Sequence, residues 1–273
     1  MFNMISASLA FGAGILGSVI GGTQTFIITG FVGILVFCLN SAGVETRFLN
    51  DTVLNTVFLP CIIFNGAGFA TAYAALHHPI RGVDTGRSLA FTADPKVLIA
   101  GGIGGLGGYF IYALEDYLAL PVDTGAVSVL IIGIIGRLLF NQEQAYNQLG
   151  IDFLKKPQTH FWSFQIIMTI AVSFICAYLV KETGLYTIGF SISAMSLIFA
   201  LNDPAFPTTH HITIVVGYAI MQTGNILLAI VFGIISHIIF IVFGMTLNTD
   251  CGTHIDPPAV SIALLSFILF VFF

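Results

Sequence analysis

Val122-Asp123-Thr124-Gly125-Ala126-Val127-Ser128-Val129 returns near the end of the chain as Ile255-Asp256-Pro257-Pro258-Ala259-Val260-Ser261-Ile262. Each copy opens an apolar run, the first reaching Leu139-Phe140 and the second Phe272-Phe273. The copies lie about 130 residues apart, roughly half the chain. In a very apolar protein, a half-length repeat is the pattern of transporters and channels, whose solute sites lie where the halves meet near the membrane midplane.

The composition points the same way. Of 273 residues, 57% are hydrophobic and only 8% charged, with a mean hydropathy of +0.99. A soluble domain carries about a quarter charged residues. This chain cannot present a solvated surface all round, so the expected solvent is a bilayer. No room remains for a nucleotide-binding cassette, so energy for pumping would come from ion gradients or a separate partner. No cofactor and no nucleic-acid partner is expected. No enzyme is expected either, because no serine–lysine pair, HExxH or GxSxG lies in an apolar run. Cys38, Cys61 and Cys176 sit inside apolar runs and are expected to pack as small hydrophobes. The start, Met1-Phe2-Asn3-Met4, lacks a basic n-region, so the first run reads as a retained helix.

A helix needs about 20 apolar residues to span hydrocarbon. On that scale the spans fall at about 4–20, 24–40, 52–75, 97–114 and 125–141, then 161–180, 185–201, 211–226, 227–247 and 258–273. The eighth and ninth share one run, divided only by Thr223-Gly224-Asn225. The expected architecture is therefore an all-α membrane protein of about ten helices. Residues 1–148 form a first repeat, 149–160 a polar linker and 161–273 a second repeat. Five spans per half give the halves opposite orientations. With both termini outside the cell membrane, Arg81, Arg87, Lys96, Arg137, Lys155 and Lys156 fall inside, against Arg47 and Lys181 outside. The glycine-rich run Gly101 to Gly108 follows no strand, so it reads as close helix packing and not a phosphate loop.

Polar groups inside apolar runs mark functional positions by default. In Asn202-Asp203-Pro204-Ala205-Phe206-Pro207-Thr208-Thr209-His210-His211 the prolines exclude a continuous helix. Asp203, His210 and His211 are candidates for a gate or proton-coupling site, the alternative being an interfacial loop with Thr208 or Thr209 as a helix cap. Asp123 and Asp256 begin helices whose free N–H groups and dipoles point outward. Two such starts, with Ser128 and Ser261, would frame a central solute path, or they are simple caps. Asn65 and Asn225 form a further pair, each about 14 residues after Asp51 or His211, and would line that path. His237, alone in its run, reads as a packed histidine. A metal reading draws on Asp203, His210, His211, His254 and Asp256 as nitrogen and oxygen ligands.

The second half also resembles the HPP family of integral membrane proteins. The likeness rests on Ser193-Ala194-Met195-Ser196-Leu197-Ile198-Phe199-Ala200, Pro204, Pro207, Gly217, Gly224, Gly244-Met245-Thr246 and Asp256-Pro257-Pro258-Ala259. The resemblance implies a helical unit whose last helix starts at this proline pair, and some members are implicated in nitrite transport. Aspartate stands here where that family has its naming histidine, with His254 two residues earlier. A carboxylate at the mouth repels anions. A weaker likeness is to urea transporters, through Phe64-Asn65-Gly66, without their proline-rich pore motif. The expected function is a channel or secondary transporter for a small polar solute of nitrite, formate or urea size, plausible as a homo-oligomer. The competing classes are a divalent-metal or proton-coupled cation transporter and a non-transporting membrane subunit.

Overall fold

The computed structural model describes residues 3–141, 143–156 and 158–273, and among them it is helical, with no strand. Helices α1 (Met4–Ile20), α2 (Gly22–Ser41), α3 (Pro60–Ala74), α4 (Pro95–Tyr117) and α5 (Thr124–Phe140) form the first half. A π-helix, Phe48–Val57, leads into α3. A short α6 (Gln148–Leu154) lies in the linker. The second half contains α7 (Thr159–Thr183), α8 (Ile188–Ser196), α9 (His210–Thr223), α10 (Ile226–Phe243) and α11 (Pro257–Phe272). A π-helical turn, Gly244–Asn248, extends α10.

Local chemistry sets the breaks. Asn3 caps α1 and Asp94 caps α4, their side chains accepting the N–H groups of Ile5 and Lys96. The Lys96 N–H and then His78 hold the Asp94 carboxyl below the usual carboxylate range. The run shared by the eighth and ninth apolar segments does divide at Thr223-Gly224-Asn225. Gly224 ends α9 at φ +65°, a left-handed conformation that glycine adopts without a Cβ clash, and Asn225 caps α10.

The helices meet in matching sets. In the first half α1, α3 and α4 pack on one another, with α5 against α3 and α4. In the second, α7, α9 and α10 pack on one another, with α11 against α9 and α10. The halves join through α2 on α8 and α5 on α11. The latter pair runs antiparallel. The Asp123 N–H, at the start of α5, donates to Ser266 Oγ on α11 at 2.8 Å. Gly133 of α5 in turn lies against His254 and Ile255, at the start of α11. The glycines of α4 do serve close packing: a Cβ at Gly101 or Gly105 would overlap Gly14 of α1, and one at Gly108 would overlap Cys61 of α3.

Among the described residues, five helical segments are long and apolar enough to cross a membrane: Gly22–Ser41, Phe48–Ala74, Pro95–Tyr117, Thr159–Thr183 and Ile226–Asn248. Four more are apolar but shorter: Met4–Ile20, Thr124–Phe140, Ile188–Leu201 and Pro257–Phe272. The α9 helix, with 14 residues, is about 21 Å long at 1.5 Å per residue. Ten helical segments thus occur near the expected positions, but five reach spanning length. Outward faces are apolar, as at Ile167 (69% exposed) and Phe174 (53%) on α7. Such surfaces are compatible with a membrane protein. Cys61 and Cys176 are buried as expected, whereas Cys38 is exposed.

Candidate functional site

A cavity of about 1010 Å³ opens between the two halves. The first half contributes Gln24 and Phe26 from α2 and Phe64 from α3. The second contributes Gln165 from α7, the loop Pro204 to Thr208, His210 from α9, His237 from α10, and His254 and Asp256 before α11.

Asp256 does two jobs. Its Oδ2 accepts the Ala259 N–H at 2.9 Å, capping α11, and its Oδ1 lies 3.2 Å from His254 Nε2. Pro257 and Pro258 occupy the first turn, where a missing N–H costs nothing. The His254 and Asp256 side chains remain 14% and 16% exposed. Behind them lies a pocket of about 20 Å³, room for about one water, lined by Asn65, Gly68, Gly133 and Gly136. His254 and Asp256 line both spaces and so stand between them.

Asn65 is buried; its Nδ2 donates to Cys61 O at 2.7 Å and lies 3.4 Å from Ser128 O. Ser128 Oγ donates to Gly108 O at 2.9 Å. These two residues therefore knit α3, α4 and α5 together. In the second half Ser261 pairs with Ser236 at 2.6 Å, and Ser236 is 3.0 Å from His211 O.

A histidine array leads inward from the cavity. His237 Nε2 lies 2.8 Å from Gln165 Oε1, and His237 Nδ1 lies 2.9 Å from His211 Nε2. The amide oxygen only accepts, so His237 donates through Nε2 and accepts at Nδ1 from His211. His211 is fully buried and stacks on Phe240 with ring centroids 4.1 Å apart.

At the other end of the α5–α11 pair, Asp123 repeats the arrangement with a different partner. Its Oδ1 accepts the Ala126 N–H at 2.8 Å and its Oδ2 accepts the Tyr218 hydroxyl at 2.6 Å. Tyr186 and Phe270 pack on the Tyr218 ring. Asp123 lines neither of the two spaces around Asp256. Nearby Glu115 is 6% exposed, its Oε2 without a hydrogen-bond partner.

Arg137, near the end of α5, holds the loop that carries His254. The guanidinium donates to Ala145 O at 2.8 Å, Leu247 O at 2.7 Å, Thr253 Oγ1 at 3.2 Å and also Thr253 O. The chain belongs to a family of unknown function (DUF7973). The sequence model of that family matches residues 1–150 and 147–273. No curated protein and no solved structure matches.

Within this DUF7973 member, several residues sit apart from where spacing put them. Asn225 does not join Asn65: it is exposed, and its side chain accepts the Leu228 N–H at 3.1 Å as a cap. Equal spacing along two runs did not give equal depth, because Asn65 lies within α3 whereas Asn225 falls in a turn. Asp203 is not among the residues that line the cavity with His210. It is exposed and its side chain accepts the Ala205 N–H at 2.9 Å, building the turn. Thr209 bonds Ser193 Oγ at 3.1 Å in place of capping α9. Asp123 and Asp256 do not converge on one centre, because antiparallel packing of α5 and α11 sets their starts at opposite ends. Of the five candidate metal ligands, His210, His254 and Asp256 line the cavity, whereas His211 is buried and Asp203 builds a turn. Among the described residues no three His, Cys, Asp or Glu side chains meet in a group that could hold a metal ion. His237, read as a packed histidine, is 4% exposed and also lines the cavity; its partners Gln165 and His211 were hidden, since nothing local in an apolar run shows which residues face each other. The Tyr218 bond is testable: Tyr218→Phe removes a hydroxyl donor to a carboxylate and should lower stability by about 1.5–3 kcal/mol. Thermal unfolding of the purified variant measures this; an unchanged midpoint would mean that Ser266 and the cap suffice.

Proposed function

We propose that this protein is a membrane channel or secondary transporter for a small polar solute, built on two inverted five-helix repeats. The cavity between the halves carries this reading, because it brings His210, His237, Gln165, His254 and Asp256 to one water-accessible space inside an apolar protein. The matching neighbour sets in the two halves and the antiparallel α5–α11 contact support the repeat. So do the two consecutive stretches matched by the family. The resemblance to HPP proteins points toward passage of a small solute. The path would run from the cavity past His254 and Asp256 into the pocket beside Asn65.

Flux into liposomes tests this, with nitrite, formate, urea, ammonium and methylammonium offered singly. Ala205 is exposed on the cavity wall, so a large side chain fits there without disturbing the core. Ala205→Trp should fold normally and lose most of the flux. Undiminished flux would overturn the path. Absence of flux for every solute would instead favour a non-transporting subunit.

A further inference from the structure

We infer that the cavity binds a small organic cation, a protonated or quaternary amine, in a cup of aromatic rings that ends at the Asp256 carboxylate. Four rings on the cavity wall form a continuous arc. His210 and Phe26 have centroids 4.7 Å apart, Phe26 and Phe64 5.5 Å, and Phe64 and His254 5.8 Å. Asp256 follows His254 at 3.2 Å and lines the same cavity. The arc therefore ends on one carboxylate.

Ring faces carry negative potential, and a cation held against several of them is favoured most where water is excluded. The carboxylate adds the full charge such a ligand needs. Arg87, the one lysine or arginine on the wall among the described residues, is exposed and its guanidinium lies 4.1 Å over the Phe91 ring. An anion entering the cup would meet the like charge of Asp256. A bare metal ion would want several oxygen or nitrogen ligands, and no such group is assembled among the described residues. A hydrophobic cation with one charge fits both the rings and the single carboxylate.

The inference gives the transport reading its substrate class and rests on that reading for its biological meaning, but binding is measurable without flux. Calorimetric titration of the purified full chain in detergent would use tetramethylammonium and methylammonium, with formate and urea as comparators. Tetramethylammonium should bind and formate should not. Asp256→Asn keeps a capping oxygen for α11 and should weaken tetramethylammonium about tenfold or more, with Phe26→Leu weakening it about threefold to tenfold. The Phe26 variant serves alone if the Asp256 variant does not fold. Unchanged affinity in the folded variants, tighter binding of formate, or no cation binding by the wild-type chain overturns the inference. Cation binding without flux of any solute would leave it standing and remove the transport reading. Flux of anions without cation binding would do the reverse.

Discussion

Arg137→Leu should destabilise the protein by about 3–5 kcal/mol, the large end of single substitutions, reached when a buried hydrogen-bond network is broken. Arg137 is 8% exposed, and its bonds reach neutral oxygens of three segments: Ala145, Leu247 and Thr253. Leucine would leave those acceptors without donors, each costing about 1–3 kcal/mol where water cannot reach. It would also remove a cation from the last turn of α5, where the carbonyl ends favour positive charge. Arg137→Lys keeps the charge but not the planar fork, and should recover only part of the loss. Thermal unfolding of the purified variants measures both. A loss below about 1 kcal/mol for leucine would mean that solvent already satisfies these carbonyls. Tetramethylammonium binding should fall together with stability, because the same guanidinium positions the loop before Asp256.

Gly108→Val should be comparably severe, at about 3 kcal/mol or more, the upper part of the range for overpacking. A Cβ at this position would overlap the Cys61 carbonyl oxygen and come within 2.6 Å of Asn65 Nδ2. The first obstacle is backbone, so α3 and α4 must separate. Helix association in lipid depends on such close approach, since lipid tails are as apolar as the side chains. Gly12→Ala provides the contrast. Nothing lies within 4 Å of a Cβ at Gly12, on an exposed face of α1. Alanine there should be neutral or gain up to about 1 kcal/mol from helix propensity. Equal midpoints for Gly108→Val and Gly12→Ala would contradict the packing argument.

Much of the architecture was legible in the residues because its causes are local. Apolar run length marks helices, Thr223-Gly224-Asn225 combines a left-handed glycine with a capping asparagine, and Asp123 and Asp256 each reach an N–H three residues on. Glycines at 101, 105 and 108 gave notice of a close helix contact, though not of which helices meet. What lay beyond reading was every feature that depends on which faces turn toward each other. His211 and His237 are 26 positions apart and Arg137 and Thr253 are 116 apart, so no spacing rule links them. Asn65 and Asn225 occupy equivalent intervals, yet one is buried in a helix and the other caps one. Asp123 and Asp256 are alike in sequence and in capping. Helix packing alone gave one a tyrosine away from the cavity and the other a histidine beside it, because burial and partners are set by long-range contacts that a local motif does not encode.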